Sequence, residues 1–352
     1  MKTILFFGGR TPEHDVSVAS AVNVLNGLDK KKHAVEAVYI AADGTWSQPA
    51  AVVETLTGTQ QLLALCGKPV DIGTALRALV DRAADGVAFP VMHGPYGEDG
   101  TIQGLFEMIG MPYVGNGVLA SAAAMDKAVM KSLFAQAGIE QTPWVSFRDG
   151  AHPQDIVNAV ARDIGFPAYV KPANMGSSVG VARCADGEEL LAAAEQAFRY
   201  DEKIVVEREV NGREIILAMA GDEYVRCSLP GVWQRPGSFF SYSDKYQDDD
   251  LTPRIPADIP EEVYRRMCDM GRRAFRAVDG SALMRADFFV TAQGQVLLNE
   301  VNTMPGFTAH SMFPLLCTQS WGMGFSELLD LLVDLGLRRH ARRAALCREV
   351  HA

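Results

Sequence analysis

The chain predicts a mixed fold, α/β at its start and α+β beyond, and three stretches carry that reading. Residues 3–7 are an apolar run ending in Gly8-Gly9. The helical pattern SVASAVNVLNGL follows, and Ala34–Ile40 returns as a strand, which makes a βαβ opening with a glycine turn before its helix. Ala168–Pro172 and a second strand from Val181 flank a loop of glycine and serine, an antiparallel arrangement. Residues 283–302, LMRADFFVTAQGQVLLNEVN, set two apolar runs, 288–290 and 296–298, around Gln293-Gly294-Gln295, the pattern of a β-hairpin with a Gly-containing turn.

In chain order, the opening turn lacks a complete GxGxxG, so a dinucleotide site does not follow from it. Glu13 fits either a binding crevice or a helix's first turn, where the macrodipole favours a carboxylate. Residues 45–85 are less regular, with a helix over 71–83. A buried strand over 86–92 ends in His93-Gly94-Pro95-Tyr96-Gly97-Glu98-Asp99-Gly100. Such a loop at a strand's C-terminal end fits a crevice, although a lone His93 in such a place is more often structural. A helix over 101–109 and a short strand over 113–115 close the first unit near residue 120.

The middle of the chain opens with a helix over 125–137, ended by Gly138 and carrying Lys127, and another helix lies over 157–164. Lys171 sits at the end of Ala168–Pro172, and the loop 173–180, ANMGSSVG, can fold over phosphates or be a plain hairpin. It is not a Walker loop, since no GxxxxGK[ST] precedes a helix. Asp186 and Glu189 form a capping-box pattern for a helix running to about residue 199. A strand over 203–207 ends on Glu207. Seven residues later Glu214 opens a strand over 215–221, a pair that fits either contacts to adenine and ribose or a surface charge cluster.

Residues 231–256 form a long irregular segment rich in Gly, Ser, Pro and Asp, with several aromatics and Lys245; its length points to an ordering lid. A helix over 261–278 precedes the hairpin, a loop over 303–312 follows it, and a helix over 325–337 leads into an arginine-rich tail read as a solvated helix end. In the hairpin, Arg285 and Asp287 are two apart, as are Glu300 and Asn302, so each pair faces one side of its strand. Paired around the turn, they gather a guanidinium, two carboxylates and an amide into one patch. Burying that patch is costly without compensation. Mg²⁺ held by hard oxygen ligands between protein and phosphates supplies it; a solvated sheet face is the alternative.

Composition bounds the rest. The 352 residues suffice for two or three domains, and 48% hydrophobic with 22% charged residues is ordinary for a soluble protein. A net charge of −10 argues against a nucleic-acid surface while leaving room for an anionic ligand at a local basic cluster. Six scattered cysteines without CxxC point to a reducing compartment rather than to disulfides or zinc. No apolar run reaches membrane-spanning length, and residues 2–7 are too short for a signal-peptide core, so no membrane association and a cytoplasmic location are expected.

Several of these segments agree in order and spacing with one family. GGRTPEHDVS (8–17), HGPYGEDGTIQG (93–104), AMDK (124–127), KPANMGSSVG (171–180), Glu207 with Glu214, SDKY (243–246), MRADFF (284–289) and LNEVNTMPGFTAHSM (298–312) make the chain resemble the D-alanine–D-alanine ligases of the ATP-grasp superfamily over nearly its whole length. The resemblance implies an N-terminal Rossmann-like domain over 1–122, a central ATP-grasp lobe over 123–220 and a C-terminal lobe over 221–352 with its lid in 231–256. It implies ATP and D-alanine as substrates, two Mg²⁺ with Mn²⁺ as a substitute, and a homodimer.

The residue roles it implies are as follows. Lys127 and Lys171 contact ATP phosphates. Glu207, Val210 and Glu214 face adenine and ribose, Glu207 at the adenine amino group, and Arg208 stands near the nucleotide. Asp287, Glu300 and Asn302 bind metal. Glu13 and His93 bind the first D-alanine, with Ser177 and Tyr246 linking Glu13 to the lid. Lys245, Gly306, Ser311 and Met312 flank the second D-alanine, and Arg285 holds the tetrahedral intermediate. Phe240 replaces a tyrosine common in the family's lid, and Met312 a common leucine. No histidine lies in 231–256, which favours an amine over a hydroxyl acceptor, with D-serine the remaining alternative to D-alanine.

Overall fold

The structure, a computed structural model, describes residues 1–67, 69–234 and 251–346. β1 (Lys2–Gly8), β2 (Ala34–Ile40) and β6 (Gly86–Pro90) form the parallel centre of the first sheet, with β1 in the middle. β3 (Trp46–Ser47), β4 (Ala50–Ala51) and β5 (Pro69–Val70) extend it as short antiparallel pieces. Nearly every β1 residue is buried, as a parallel strand covered on both faces requires. α1 (His14–Gly27) and α2 (Thr59–Leu65) cover one face; α3 (Ile72–Val80) and α4 (Thr101–Met108) cover the other. Asp71 starts α3 by accepting the Thr74 N–H at 2.9 Å. The strand expected over 113–115 shrinks to a single parallel bridge between Ala88 and Tyr113.

A helix without a sequence expectation, α5 (Val118–Met125), precedes the one expected over 125–137, which is α6 (Lys127–Gln136). Asp126 separates them: its backbone leaves the helical region, and its carboxylate accepts the Ala128 and Val129 N–H groups at 3.0 and 3.1 Å. β7 (Trp144–Arg148), a half-exposed strand that no clear alternation announces, α7 (Pro153–Asp163), β8 (Ala168–Pro172), β9 (Ala182–Cys184), α8 (Gly187–Ala197) and β10 (Lys203–Arg208) follow. Their sheet has the order β7-β10-β8-β9, all antiparallel, with α7 and α8 packed on one face. Asp186 caps α8 through the Glu188 and Glu189 N–H groups, and Glu189 returns a bond to the Ala185 N–H, one residue earlier than a standard capping box.

The third sheet orders β12 (Arg226–Cys227), β11 (Gly212–Gly221), β15 (Ala282–Thr291) and β16 (Val296–Asn302), again antiparallel, so β11 hydrogen-bonds to strands that lie beyond residue 221. α9 (Glu261–Ala277) covers its apolar face. The two ends of the segment expected to be irregular, β13 (Val232–Gln234) and β14 (Thr252–Arg254), pair as a short ribbon; Phe240, Lys245 and Tyr246 lie outside the described residues.

The β15–β16 ladder contains a bulge. Arg285 pairs with Asn302 and Asp287 with Glu300, but Phe288 pairs with Leu298, so Asn299 has no opposite residue. One extra residue resets the alternation. Leu298 then joins Phe288 in the core, while Glu300 and Asn302 face the other side with Arg285 and Asp287. Strict alternation across 298–302 would have sent Leu298 to the polar face.

Of the two final helices one has no counterpart in the sequence pattern and the other is longer than expected. α10 (Met312–Trp321) begins where a loop was expected to end, and α11 (Phe325–Ala344) continues past residue 337. The tail is not wholly a solvated end. Arg339 is buried, stacks 4.0 Å over the Tyr113 ring and donates to the Gly115 and Tyr113 carbonyls, binding α11 to the first sheet's last segment. Beside it, a methyl at Gly336 would stand 2.5 Å from the Tyr113 carbonyl oxygen. Gly336→Ala is therefore expected to lower the stability measured by urea unfolding by about 1–3 kcal/mol, because backbone must move to admit it.

Candidate active site

A cavity of about 690 Å³ opens where the C-terminal ends of the first sheet, the loop 173–181 and the polar face of the third sheet meet. Its wall from the hairpin carries Arg285, Asp287, Glu300 and Asn302, together with Glu214 from β11. Arg285 donates from Nε and Nη2 to the two Asp287 oxygens at 2.8 and 2.7 Å, a bidentate pair. Burial disfavours the charged guanidinium, but Asp287, Glu300 and Glu214 outweigh it and raise the pKa of Arg285. Asn302 Oδ1 accepts the Met304 N–H at 2.8 Å.

Asp287, Glu300 and Asn302 offer two carboxylates and an amide oxygen from the hairpin, with the Glu214 carboxylate beside them. Among the described residues no three His, Cys, Asp or Glu side chains gather as a self-contained metal site. Hard oxygens too few to enclose an ion fit a divalent cation shared with a phosphate-bearing ligand, which would supply further oxygens.

Opposite lies Glu13, just before α1. Its carboxylate accepts a hydrogen bond from Ser177 Oγ, which joins the first unit to the loop 173–181. Ser177 and Ser178 hold left-handed backbone conformations, φ 47° and 57°, which cost non-glycine residues about 1–2 kcal/mol each. Gly94 and Gly176 press on the same carboxylate: a Cβ on either would lie 2.6 or 2.7 Å from Glu13 Oε2. Burial, then repulsion from Glu98, raises the Glu13 pKa above its ordinary 4.5, against lowering by Ser177, His93 and Arg285. His93 is buried between Ser20 Oγ, 3.1 Å from Nε2, and the Met304 carbonyl, 3.1 Å from Nδ1. The carbonyl can only accept, so Nδ1 donates to it.

The far end of the cavity is lined by Gly306, Ser311 and Met312. Ser311 Oγ accepts the Thr308 N–H at 2.9 Å, and Asn23 Nδ2 donates to the Phe307 carbonyl at 2.7 Å, fixing this loop to α1. Lys127 lines the side nearest the loop 173–181, and its ammonium donates to the Met175 carbonyl at 2.6 Å.

Other expected residues lie behind or beside the cavity. Lys171 Nζ is 3.0 Å from Glu207 Oε2 and 3.4 Å from Asn299 Oδ1. The other Glu207 oxygen is 3.3 Å from Lys131 Nζ, which also donates to the Asn299 carbonyl at 3.3 Å. Glu207 is only 2% exposed; burial alone would raise its pKa, but Lys131 and Lys171 together bring it down to about 2. Burial pushes Lys131 below its ordinary value. Arg208 is exposed and donates to the Ile164 carbonyl at 2.7 Å, and Val210 lies in the connection between β10 and β11. Lys131, Asn299, Glu98 and Ser20 escaped the sequence reading. Lys131 left one trace: it falls among Ala128, Met130 and Phe134 on the buried side of α6, where lysine is out of place.

Comparison with known proteins agrees with this architecture. The family model described as D-ala D-ala ligase N-terminus matches residues 2–116, and that described as D-ala D-ala ligase C-terminus matches 133–334. The chain is 44% identical to a D-alanine–D-alanine ligase of Bacillus velezensis, over 96% of this chain and 98% of that one. It is 45% identical to one of Bacillus licheniformis, over 96% of each. Among solved structures, the D-alanine–D-alanine ligase from Coxiella burnetii superimposes with a TM-score of 0.82 at 30% identity, covering 98% and 97% of the two chains. The VanG D-Ala:D-Ser ligase from Enterococcus faecalis gives 0.80 at 31%, covering 96% and 99%.

Replacing Glu207 leaves two buried ammonium groups without their shared carboxylate, so Glu207→Gln is expected to cost about 3–5 kcal/mol at pH 7. A folded pKa of about 2 against an ordinary 4.5 means this stabilisation is complete above pH 4.5 and lost as pH falls toward 2. Urea titrations of both proteins should show the gap shrinking over that window.

Proposed function

The chain belongs to the D-alanine–D-alanine ligase family, and from that premise we propose how its residues carry the reaction. It is an ATP-dependent ligase that forms D-alanyl-D-alanine for peptidoglycan precursor synthesis. One observation supports the assignment of roles most: the Arg285, Asp287, Glu300 and Asn302 face looks across a single cavity at Glu13, Ser177 and His93.

A carboxylate is a poor acylating agent because oxide is a poor leaving group. ATP converts the first D-alanine into an acyl phosphate, and the amine of the second then displaces phosphate. Glu13, held by Ser177, receives the ammonium of the first D-alanine, with His93 behind it. Lys127 and Lys171 take ATP phosphates. Adenine and ribose lie along the 207–214 connection, near Arg208 and Val210, with Glu214 at the cavity wall. Asp287, Glu300 and Asn302 hold Mg²⁺, two ions in our reading, with Mn²⁺ as a substitute. When bound, the metal neutralises charge on the phosphoryl group in transfer. Arg285 and the Gly306 N–H then stabilise the oxyanion formed when the amine adds, each donor contributing about 3–4 kcal/mol. Lys245, Ser311 and Met312 flank the second D-alanine. Lys245 and Tyr246 are assigned to a lid within 231–256 that excludes water from the acyl phosphate.

No helix among the described residues is long and apolar enough to cross a membrane; a cytoplasmic homodimer is our reading. The division 1–122, 123–220 and 221–352 is kept with its second boundary moved to 211/212, because β11 hydrogen-bonds within the third sheet.

The test is phosphate release with D-alanine alone and with D-alanine mixed with D-serine or D-lactate, products being identified by mass. D-Ala-D-Ala as the main product is expected; mixed D-Ala-D-Ser or depsipeptide as the main product would overturn the acceptor assignment. Arg285→Ala should keep ATP binding and cut kcat severely, whereas a raised KM with unchanged kcat would remove Arg285 from the intermediate. A carbon-detected titration of Glu13 should give a midpoint above 4.5, with D-alanine binding lost as pH falls through it, because only the ionised carboxylate pairs with the ammonium.

A further inference from the structure

The cluster behind the cavity sets two ammonium groups against one carboxylate. Lys131 and Lys171 approach opposite oxygens of Glu207 at 3.3 and 3.0 Å, and both reach Asn299. Removing each ion from water costs several kcal/mol. If charge balance alone were needed, one lysine and Glu207 would form a pair, and the second would add only desolvation and repulsion. The two lysines differ in what they can reach. Lys171 is the penultimate residue of β8, just before the loop whose residues 175–178 line the cavity. Lys131 lies inside α6, fully buried, one turn beyond the cavity-lining Lys127.

We propose that Lys131 is a positioning residue for the nucleotide: it holds Glu207 so that Lys171 can turn from that carboxylate to the phosphates. The inference rests on the reading that Lys171 serves ATP. When Lys171 moves, Glu207 keeps a cation at Oε1 and is never left as a lone buried charge. Without Lys131 the turn would strip Glu207 of both partners, so Lys171 stays paired with it and the nucleotide loses its contact. Asn299 serves both lysines, its carbonyl fixing Lys131 and its side-chain oxygen giving Lys171 a second acceptor on the way.

The experiment is calorimetric binding of a non-hydrolysable ATP analogue with Mg²⁺ to the full-length protein, alongside steady-state kinetics and thermal melting. Lys131→Met keeps the neutral Lys171–Glu207 pair and should fold. Its analogue Kd and KM for ATP should rise at least about tenfold, the loss of one charge-assisted hydrogen bond, while KM for D-alanine stays within about twofold. Lys131→Arg should recover most of the binding, because it restores the charge. Lys131→Gln keeps donors for Glu207 and Asn299 without charge; it should behave like Lys131→Met and stands in if that variant does not fold. Nucleotide binding unchanged in a folded Met or Gln variant, or a lowered Tm as the only effect, would overturn the proposal. Failure of the wild type to form dipeptide while these binding shifts persist would count against the ligase reading alone.

Discussion

A single inserted residue decides which way the last sheet faces. The bulge at Asn299 turns Leu298 into the core and Glu300 and Asn302 toward the cavity, opposite Asp287 and Arg285. The bulged residue itself points away from that wall to the two buried lysines. One backbone irregularity thus serves three surroundings: apolar core, polar wall and ion cluster. Removing it would move every side chain beyond it to the opposite face.

On the polar wall, which carries three carboxylates, that of Asp287 is matched directly by a cation. Arg285 and Asp287 satisfy one another in two parallel bonds, which holds a cation in place beside a buried carboxylate. Behind the cavity Glu207 stands between two lysines, one on each carboxylate oxygen. Where the units meet, amides do the joining. Asn116 donates to the Leu283 and Thr303 carbonyls and accepts from the Ser281 N–H, so the backbone entering and leaving the hairpin is tied to the first unit by one side chain.

Much of this was legible in the sequence where local pattern and tertiary role coincide. The βαβ opening, β2, β8 and the hairpin follow from apolar runs and glycine turns, and the spacing of Arg285, Asp287, Glu300 and Asn302 placed them on one face. The segments with matching family motifs located Glu13 near Ser177 before any geometry was known. What escaped depends on partners distant in sequence. Asp126 looks like a helix interior until its carboxylate is seen capping α6. The bulge has no local signature, because LLNEVN reads equally well as an unbroken strand. Lys131 finds its reason in Glu207 and Asn299, 76 and 168 residues later in the chain. Arg339 looked like part of a solvated tail because its acceptors lie 224 and 226 residues earlier.

The burial of α10 and α11 against the opening sheet bears on how the protein is made. Phe7, Val24 and Phe89 share one apolar cluster with Phe313, Leu316, Leu328, Leu332 and Leu335. A ribosome delivers the whole of the first group before any of the second, with most of the chain made in between. Throughout that interval only α1 and α2 cover this flank of the nascent sheet, and the apolar surface meant for α10 and α11 stays open to misassembly. The first part of the molecule to be synthesised is in this sense the last to be finished.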